Sequence, residues 1–199
     1  NTSGTTQNTA TLNQASLTVS GTSVVTTKYY DGTTSATITG GSVTPLTGDT
    51  LVLTQAGTFA SKDASTSPIA VTANNSLSGT YADNYTLVQP TGLTGTINKA
   101  PLGITVTATY AGSGARSVTP TDYSITGLVT VDRVTETLIP TNVSLNSYLV
   151  SANGSNYVTA INAIDASSTA SLNNYQITVA RNNTSGTTQN TATLNQASL

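Results

Sequence analysis

Short runs in which aliphatic or β-branched residues alternate with polar ones recur along the chain. In residues 104–109 three apolar residues alternate with three threonines, so an extended backbone places the apolar side chains on one face. That face consists of Ile104, Val106 and Ala108. Similar runs of strand length occupy residues 16–20, 36–39 and 51–54. The pattern predicts β-strands, and no stretch sustains the 3.6-residue period of an amphipathic helix.

Turn-forming dipeptides separate these runs at intervals of about ten residues, a spacing typical of small all-β domains. They are Asp31-Gly32, Gly40-Gly41, Gly48-Asp49, Asn74-Asn75 and Asn153-Gly154. Short strands joined by tight turns favour antiparallel pairing. We therefore predict an all-β fold made of small β-sandwich-like, or related compact β-sheet, modules.

The strongest signal in the chain is a long identical repeat. Residues 1–17 and 183–199 share the sequence NTSGTTQNTATLNQASL at all 17 positions, at an offset of 182 residues. Such identity indicates a tandem array, in which one full period is followed by the opening of the next copy. In each copy the first ten residues are predicted to be linker, and the part containing the leucines (residues 12–17 and 194–199) is predicted to begin a strand.

A fainter repeat lies inside the 182-residue period. Residues 96–102 resemble residues 11–17, and residues 83–87 resemble residues 173–177. Each period is therefore predicted to hold two diverged modules of one kind, arranged end to end. The predicted ranges are a seam from the preceding repeat at 1–14, a first β module at 15–99, a second β module at 100–182, and the start of the next copy at 183–199.

The composition narrows the range of functions. Only 7% of the residues are charged, the formal net charge is −2, and Cys, His, Met and Trp are absent. The missing residues exclude disulfides, thiol chemistry, histidine catalysis and His/Cys metal sites. The weak negative charge provides no basic surface for nucleic acid. The nine tyrosines and many β-branched residues argue against disorder, and no apolar run is long enough for membrane insertion.

One segment carries a family resemblance. Residues 28–36, KYYDGTTSA, resemble the signature of the YDG-type repeat modules of large bacterial surface adhesins. The similarity covers roughly residues 15–100 and continues through Gly48-Asp49-Thr50, Gly57-Thr58-Phe59-Ala60, Asn84-Tyr85-Thr86-Leu87 and Gly95-Thr96-Ile97-Asn98-Lys99-Ala100. Residues 109–112 and 123–128 are similar to the related MBG-type repeats, with Ala111-Gly112 where the signature has Asp-Gly.

This resemblance implies a place in filamentous-haemagglutinin-like and other giant adhesins of Gram-negative bacteria. There such modules are stalk segments that hold a terminal binding region away from the cell. The expected function is thus a structural tandem-repeat spacer of a secreted adhesin, anchored at the outer membrane and active in attachment or biofilm formation. The expected partners are neighbouring repeats of the same chain and an unidentified host or biofilm glycan or protein. We expect the isolated chain to be a monomer and not an enzyme.

Two other classes of function stay open. A carbohydrate- or protein-binding module would recognise its ligand through exposed Tyr and Asn side chains, and the isolated chain would then show saturable binding. A self-associating fibre or surface-layer repeat would pair through exposed strand edges. Sedimentation of the isolated chain distinguishes this last class, because a spacer should remain monomeric and elongated.

The Tyr30-Asp31-Gly32 segment is the first candidate site. It could form a loop that faces a ligand. Asp binds its own backbone in tight turns, and Gly supplies the positive φ that such turns require. We therefore interpret the segment as a structural turn whose tyrosine packs across the strands.

Two Asn-Tyr pairs, Asn84-Tyr85 and Asn174-Tyr175, form the second set of candidates. They recur at equivalent places just before the last strands of the two predicted modules. A tyrosine at such a position is typical of the tyrosine corner of β-sandwiches, where the ring packs in the core and the hydroxyl binds backbone. We interpret Tyr85 and Tyr175 as structural anchors of this kind.

The charged residues indicate no catalytic site, metal site or isopeptide bond. The acidic residues are scattered, without the D-x-D-x-D spacing of calcium loops, and no spacing selects a pair of carboxylates for glycoside hydrolysis. The few lysines are interpreted as solvated rather than as partners in an intramolecular Lys–Asn isopeptide bond. No catalytic, cofactor-binding or metal-binding residue is therefore predicted, and no cofactor.

Overall fold

Nearly all the regular structure in the described part of the chain is β-strand. A computed structural model of the protein describes residues 10–112, 120–129, 138–165, 172–177 and 192–197. The strands are, in chain order, β1 Ala15–Thr18, β2 Val24–Val25, β3 Lys28–Tyr29, β4 Ser35–Ala36, β5 Ile38–Thr39, β6 Val52–Thr54, β7 Gly57–Phe59, β8 Ile69–Ala73, β9 Ser76–Ser78, β10 Tyr85–Val88, β11 Leu93–Gly95, β12 Ile97–Asn98, β13 Ala100–Thr109, β14 Pro120–Thr126, β15 Leu138–Leu145, β16 Val158–Asp165, β17 Tyr175–Ile177 and β18 Ala192–Asn195. Short 3₁₀ turns occur at Ala82–Asn84, Val150–Ala152 and Leu172–Asn174. The prediction of an all-β fold is confirmed.

The described chain forms two compact units that interleave along the sequence. The first unit contains residues 10–26, 34–60 and 69–95, and the second contains residues 27–33, 61–68 and the described residues from 96 onward. The modules predicted at 15–99 and 100–182 divide the chain differently, because they are contiguous. Those ranges stay predictions.

The first unit is organised around an antiparallel sheet with the strand order β11-β8-β7-β4. Its inner strands β7 and β8 place Phe59 opposite Val71, and the Phe59 side chain is only 1% exposed. The unit also contains the antiparallel pairs β2-β5 and β6-β9 and the parallel pair β1-β10. Alternation along these strands buries Leu17, Ile38 and Ala73.

Gly95 lets the backbone of β11 approach the Phe59 ring. A Cβ atom at residue 95 would lie 2.5 Å from Cγ1 of Val25 and 2.9 Å from Cε1 of Phe59. Carbon atoms that are not bonded pack at about 3.5–4.0 Å. The close packing of the first unit around Phe59 therefore requires glycine at this position.

β13 is the strand on which the second unit is built. It pairs with β14 in the antiparallel sense, and with β17 and β18 in parallel along different parts of its length. The second unit also contains the antiparallel pair β15-β16 and the parallel pair β3-β12. Ile104, Val106 and Ala108 are each at most 1% exposed, so the face predicted from their alternation is confirmed. The core cluster also includes Val143, Leu145, Val158, Ala192 and Leu194.

Several strand pairs are parallel, which the turn signals did not indicate. The predicted antiparallel pairing holds for neighbours along the chain such as β7-β8 and β15-β16. The pairs β1-β10, β3-β12, β13-β17 and β13-β18 are parallel. A tight turn cannot connect parallel strands, so their partners lie far apart in the sequence. Local turn dipeptides consequently carry no information about these pairs.

The two copies of the sequence Ala-Thr-Leu-Asn differ in structure. In the second copy the four residues form β18, and Leu194 is 1% exposed. In the first copy residues 10–13 lie outside any strand, and Leu12 is 98% exposed. The strand predicted at residues 12–17 begins only at Ala15, the first residue to pair with β10. The linker prediction covered residues 1–10 and 183–192. It is wrong at Ala192, which is the first residue of β18, whereas Ala10 lies outside any strand. The other predicted linker residues, 1–9 and 183–191, lie outside the described residues.

Candidate functional site

The Tyr30-Asp31-Gly32 segment forms a turn that the Asp31 side chain holds together. Gly32 has a φ of 77°, in the left-handed region that favours glycine. Oδ1 of Asp31 accepts hydrogen bonds from the backbone N–H and the hydroxyl of Thr33, at 2.9 and 2.8 Å. The same oxygen accepts a bond from Nζ of Lys28 at 2.8 Å, and Lys28 also donates to the carbonyl oxygen of Thr33 at 2.9 Å. The carboxylate is engaged within its own turn, which is the arrangement of a structural element.

These contacts change the ionisation of Asp31. Partial burial raises the pKa of its carboxyl, but the Lys28 ammonium and the hydrogen bonds from Thr33 together hold the pKa below the usual 3.8. Since the pKa is lowered in the folded state, the carboxylate stabilises the turn at neutral pH, and this contribution is lost as the pH falls through the lowered value. The side chain is 51% exposed, so solvent screening keeps the stabilisation small.

Tyr30 and Tyr175, which the sequence singled out separately, meet in the second unit. Their ring centroids are 5.5 Å apart with an angle of 81° between the planes, the edge-to-face geometry that aromatic pairs prefer. The two side chains are 4% and 6% exposed. The Tyr175 hydroxyl accepts a hydrogen bond from the backbone N–H of Val129 at 3.2 Å. Both tyrosines are therefore core residues of this unit.

Asn174, next to Tyr175, connects two segments of the second unit. Its side chain is almost fully buried. Oδ1 accepts a hydrogen bond from the backbone N–H of Ala64 at 2.8 Å, and Nδ2 donates to Oδ1 of Asp63 at 2.8 Å. The loop at residues 61–68 is thereby fastened to the 3₁₀ turn that precedes β17. The sequence did not indicate this role for Asp63, which is 111 residues from Asn174.

Tyr85 is the corresponding anchor of the first unit. Like Tyr175 it follows a 3₁₀ turn and begins a strand with a parallel partner. Its ring is buried, and its hydroxyl accepts a bond from the N–H of Leu46 at 3.0 Å and donates to Oδ2 of Asp49 at 2.6 Å. The hydrogen bond to the Asp49 carboxylate, together with burial, raises the pKa of the Tyr85 phenol above its usual 10.0.

Asn84 differs from its counterpart Asn174, although both precede a buried tyrosine in the same sequence pattern. The Asn84 side chain is exposed, whereas that of Asn174 is buried and bonded at both ends. The shared pattern therefore accompanies a buried tyrosine with a hydrogen-bonded hydroxyl in both units. The environment of the asparagine depends on which segment lies against it.

Asn153 has a role that its turn-forming character did not reveal. Its Nδ2 donates to the carbonyl oxygen of Leu194 at 2.8 Å, and its Oδ1 accepts from the N–H of Leu194 at 2.9 Å. The side-chain amide thus binds the backbone of β18 as a neighbouring strand would. A turn asparagine is a common signal, so its sequence position alone could not single out this contact.

A polar groove of about 790 Å³ lies on the second unit. Its walls include Tyr29, Ser65, Thr66, Asn98, Lys99 and Asn173. Tyr29 is 64% exposed. An exposed ring beside amide and hydroxyl groups can bind a ligand that has both apolar faces and polar edges, such as a sugar.

Neither a metal-binding cluster nor a membrane-spanning helix occurs among the residues that the structure describes. They contain no group of three or more acidic, His or Cys side chains placed to hold a metal ion. Nor do they include a helix with the length and hydropathy that a membrane crossing needs.

Comparison with known proteins identifies one part of the chain. Residues 13–93 match the sequence family described as the YDG domain, and this stretch is therefore a YDG domain. The expectation of a YDG-type module is confirmed for these residues. No curated protein and no solved structure matches the chain.

Proposed function

With a YDG domain at residues 13–93 as the premise, we propose that this chain is a tandem-repeat stalk segment of a secreted bacterial surface adhesin. In this role it is an extended spacer that holds a binding region away from the cell, in attachment or biofilm formation. The proposal gives the protein an extracellular location and no enzymatic activity. Residues 100–182 would be the second module of the period, of the MBG type.

The observation that carries the proposal is the identical sequence at residues 1–17 and 183–199. Near-identical repetition is typical of proteins whose useful property is length. The strand pairing is also repeated. β12 and β18 both end in an asparagine, and each pairs in parallel with an earlier strand, β12 with β3 and β18 with β13. Asn98 lies opposite Tyr29 and Asn195 lies opposite Thr109, in parallel register. In each case the residue after the strand partner donates its backbone N–H to the asparagine carbonyl oxygen. Tyr30 donates to Asn98 at 2.8 Å, and Tyr110 donates to Asn195 at 2.9 Å.

The test is the length of a series of proteins containing one, two and four periods. A compact domain of about 90 residues has a diameter of roughly 30 Å, so two modules in line add some 60 to 80 Å per period. Small-angle X-ray scattering should show a maximum dimension that increases linearly, about fourfold from one period to four. If the periods collapse into one globule, the increase will be only about 1.7-fold, which contradicts the spacer.

A second candidate function, a glycan- or protein-binding module, is favoured by the polar groove beside Tyr29. A glycan array probed with the isolated chain tests it. Saturable binding that Tyr29→Ala abolishes, and that Tyr123→Ala leaves intact, would favour this function over a pure spacer. Tyr123 is a suitable control because it is also exposed but does not line the groove.

A further inference from the structure

The starting observation is one sequence in two environments. Residues 10–13 and 192–195 are both Ala-Thr-Leu-Asn, and we call them the N-terminal seam and the C-terminal seam. In the C-terminal seam Ala192 is 3% and Leu194 is 1% exposed. In the N-terminal seam all four residues are exposed, and Leu12 is 98% exposed. A leucine suited to a core is thus presented to solvent.

The C-terminal seam is bound along both of its edges. On one side it pairs in parallel with residues 106–109 of β13, and the backbone N–H of Tyr110 donates to the carbonyl oxygen of Asn195 at 2.9 Å. On the other side the Asn153 amide makes two hydrogen bonds to the backbone of Leu194. The backbone N–H of Ala192 donates to the carbonyl oxygen of Asn156 at 3.2 Å.

The side chains of the C-terminal seam complete a core. Ala192 and Leu194 belong to the cluster formed by Val106, Ala108, Val143 and Val158. Val143, Val158 and Ala108 are all fully buried. A strand that left this slot would expose these residues together with the backbone edge of β13, and open strand edges recruit other strands.

We propose that the N-terminal seam is a donor strand for a second copy of this chain. Residues 10–13 of one copy pair with residues 106–109 of the other, in the register that residues 192–195 use, and Leu12 takes the place of Leu194. The C-terminal seam makes its contacts through its backbone and through the side chains of Ala192 and Leu194. The N-terminal seam has the same residue types at the equivalent positions, Ala10 and Leu12. In a tandem array the second copy is the preceding period of the same polypeptide, whereas between isolated chains it is a separate molecule.

Competition with the C-terminal seam determines when the donor strand binds. The C-terminal seam is part of the same chain as its slot, so its binding is intramolecular and its effective concentration is of about millimolar order. The intact chain should therefore be mainly monomeric at micromolar concentration. Disabling the C-terminal seam should reveal the interaction between copies.

The first experiment uses four full-length chains: wild type, L12D, L194D and the double variant L12D/L194D. Leu194→Asp places a charge in the core slot, whereas Leu12→Asp changes a side chain that is in solvent. Sedimentation velocity across the micromolar range should give monomers for wild type and L12D, and concentration-dependent oligomers for L194D alone. The double variant should be monomeric, because it has lost both strands. A monomeric L194D, or a double variant that associates as strongly as L194D, would overturn the proposal.

A second experiment keeps both seams intact and so does not depend on the folding of L194D. The chain has no cysteine, so single-cysteine chains can be mixed. The proposed register places residue 13 of one copy opposite residue 109 of the other, as Asn195 lies opposite Thr109. Oxidation of N13C mixed with T109C should give a disulfide-linked heterodimer at least about tenfold faster than N13C mixed with T105C, since disulfides require close Cα atoms. Equal rates, or no heterodimer with T109C, would refute the register.

Discussion

Asn174→Ala tests whether the buried asparagine fastens the loop at residues 61–68. The substitution removes two hydrogen bonds, one to the N–H of Ala64 and one to the carboxylate of Asp63. Each such bond contributes about 1 kcal/mol net, so the free energy of local unfolding should fall by about 2 kcal/mol. At about 1.4 kcal/mol per factor of ten, this is a roughly 30-fold larger opening equilibrium.

The assay is native-state hydrogen exchange at the amide of Ser65. This amide donates to the carbonyl oxygen of Ile97 at 3.0 Å and has no bond to Asn174, so it reports the opening of the loop rather than the loss of its own partner. The matched control is Asn84→Ala, at the equivalent place in the sequence pattern. The Asn84 side chain is exposed, and its removal should change stability by less than about 0.5 kcal/mol.

Asp63 provides an independent check on the same contact. Asp63→Ala removes one of the two hydrogen bonds and should give about half of the Asn174→Ala effect, roughly 1 kcal/mol. Asp63→Asn keeps an acceptor for Nδ2 of Asn174 and should cost less. The reasoning would be refuted if Ser65 exchange rose less than about threefold in Asn174→Ala, or if Asn84→Ala had an equal effect.

Three further changes test the anchor, the turn and the tight packing. Tyr85→Phe should lower the thermal midpoint at pH 7, and it should remove a loss of stability in wild type at high pH. Because the pKa of Tyr85 is raised in the folded state, its protonated hydroxyl stabilises the fold below pH 10.0, and this contribution is lost as the pH rises through the raised value. The control is Tyr29→Phe, which changes an exposed ring. Asp31→Asn should abolish the component of acid destabilisation that appears as the pH falls below 3.8 in a pH series of thermal melts. Gly95→Ala should cost about 1–3 kcal/mol in urea denaturation, because the new Cβ would overlap Val25 and Phe59; Thr94→Ala should cost little, and equal effects would contradict the packing argument.

Features set by near neighbours in the chain could be predicted from the sequence. The alternation in residues 104–109 identified the buried face of β13, since side chains of a strand point alternately to its two sides. The Asp31-Gly32 dipeptide identified a turn, because Gly32 supplies the positive φ and Asp31 binds the backbone of Thr33. The YDG module was found because its motif lies within one short stretch.

Contacts between distant segments could not be predicted in this way. Nothing in residues 61–68 points to Asn174, which lies 110 residues beyond Ala64. The parallel pairing of β1 with β10 is another example, because no turn between the two strands specifies it. The sequence treated Asn84 and Asn174 as equivalent, but burial of an amide depends on which segment packs against it.

The two seams show the same limit more sharply, because their sequences are identical. Intrinsic propensity cannot distinguish residues 10–13 from residues 192–195, so the difference in structure must come from the surfaces that are available to them. Leu194 is buried because β13 and Asn153 together form a slot around its backbone. Leu12 is exposed, and residues 10–13 pair with none of the strands that the structure describes. The structure of the seam sequence therefore depends on its surroundings, because it forms a strand where an open edge of β13 is available. An edge of β13 on another copy is equivalent in this respect to the edge on its own chain.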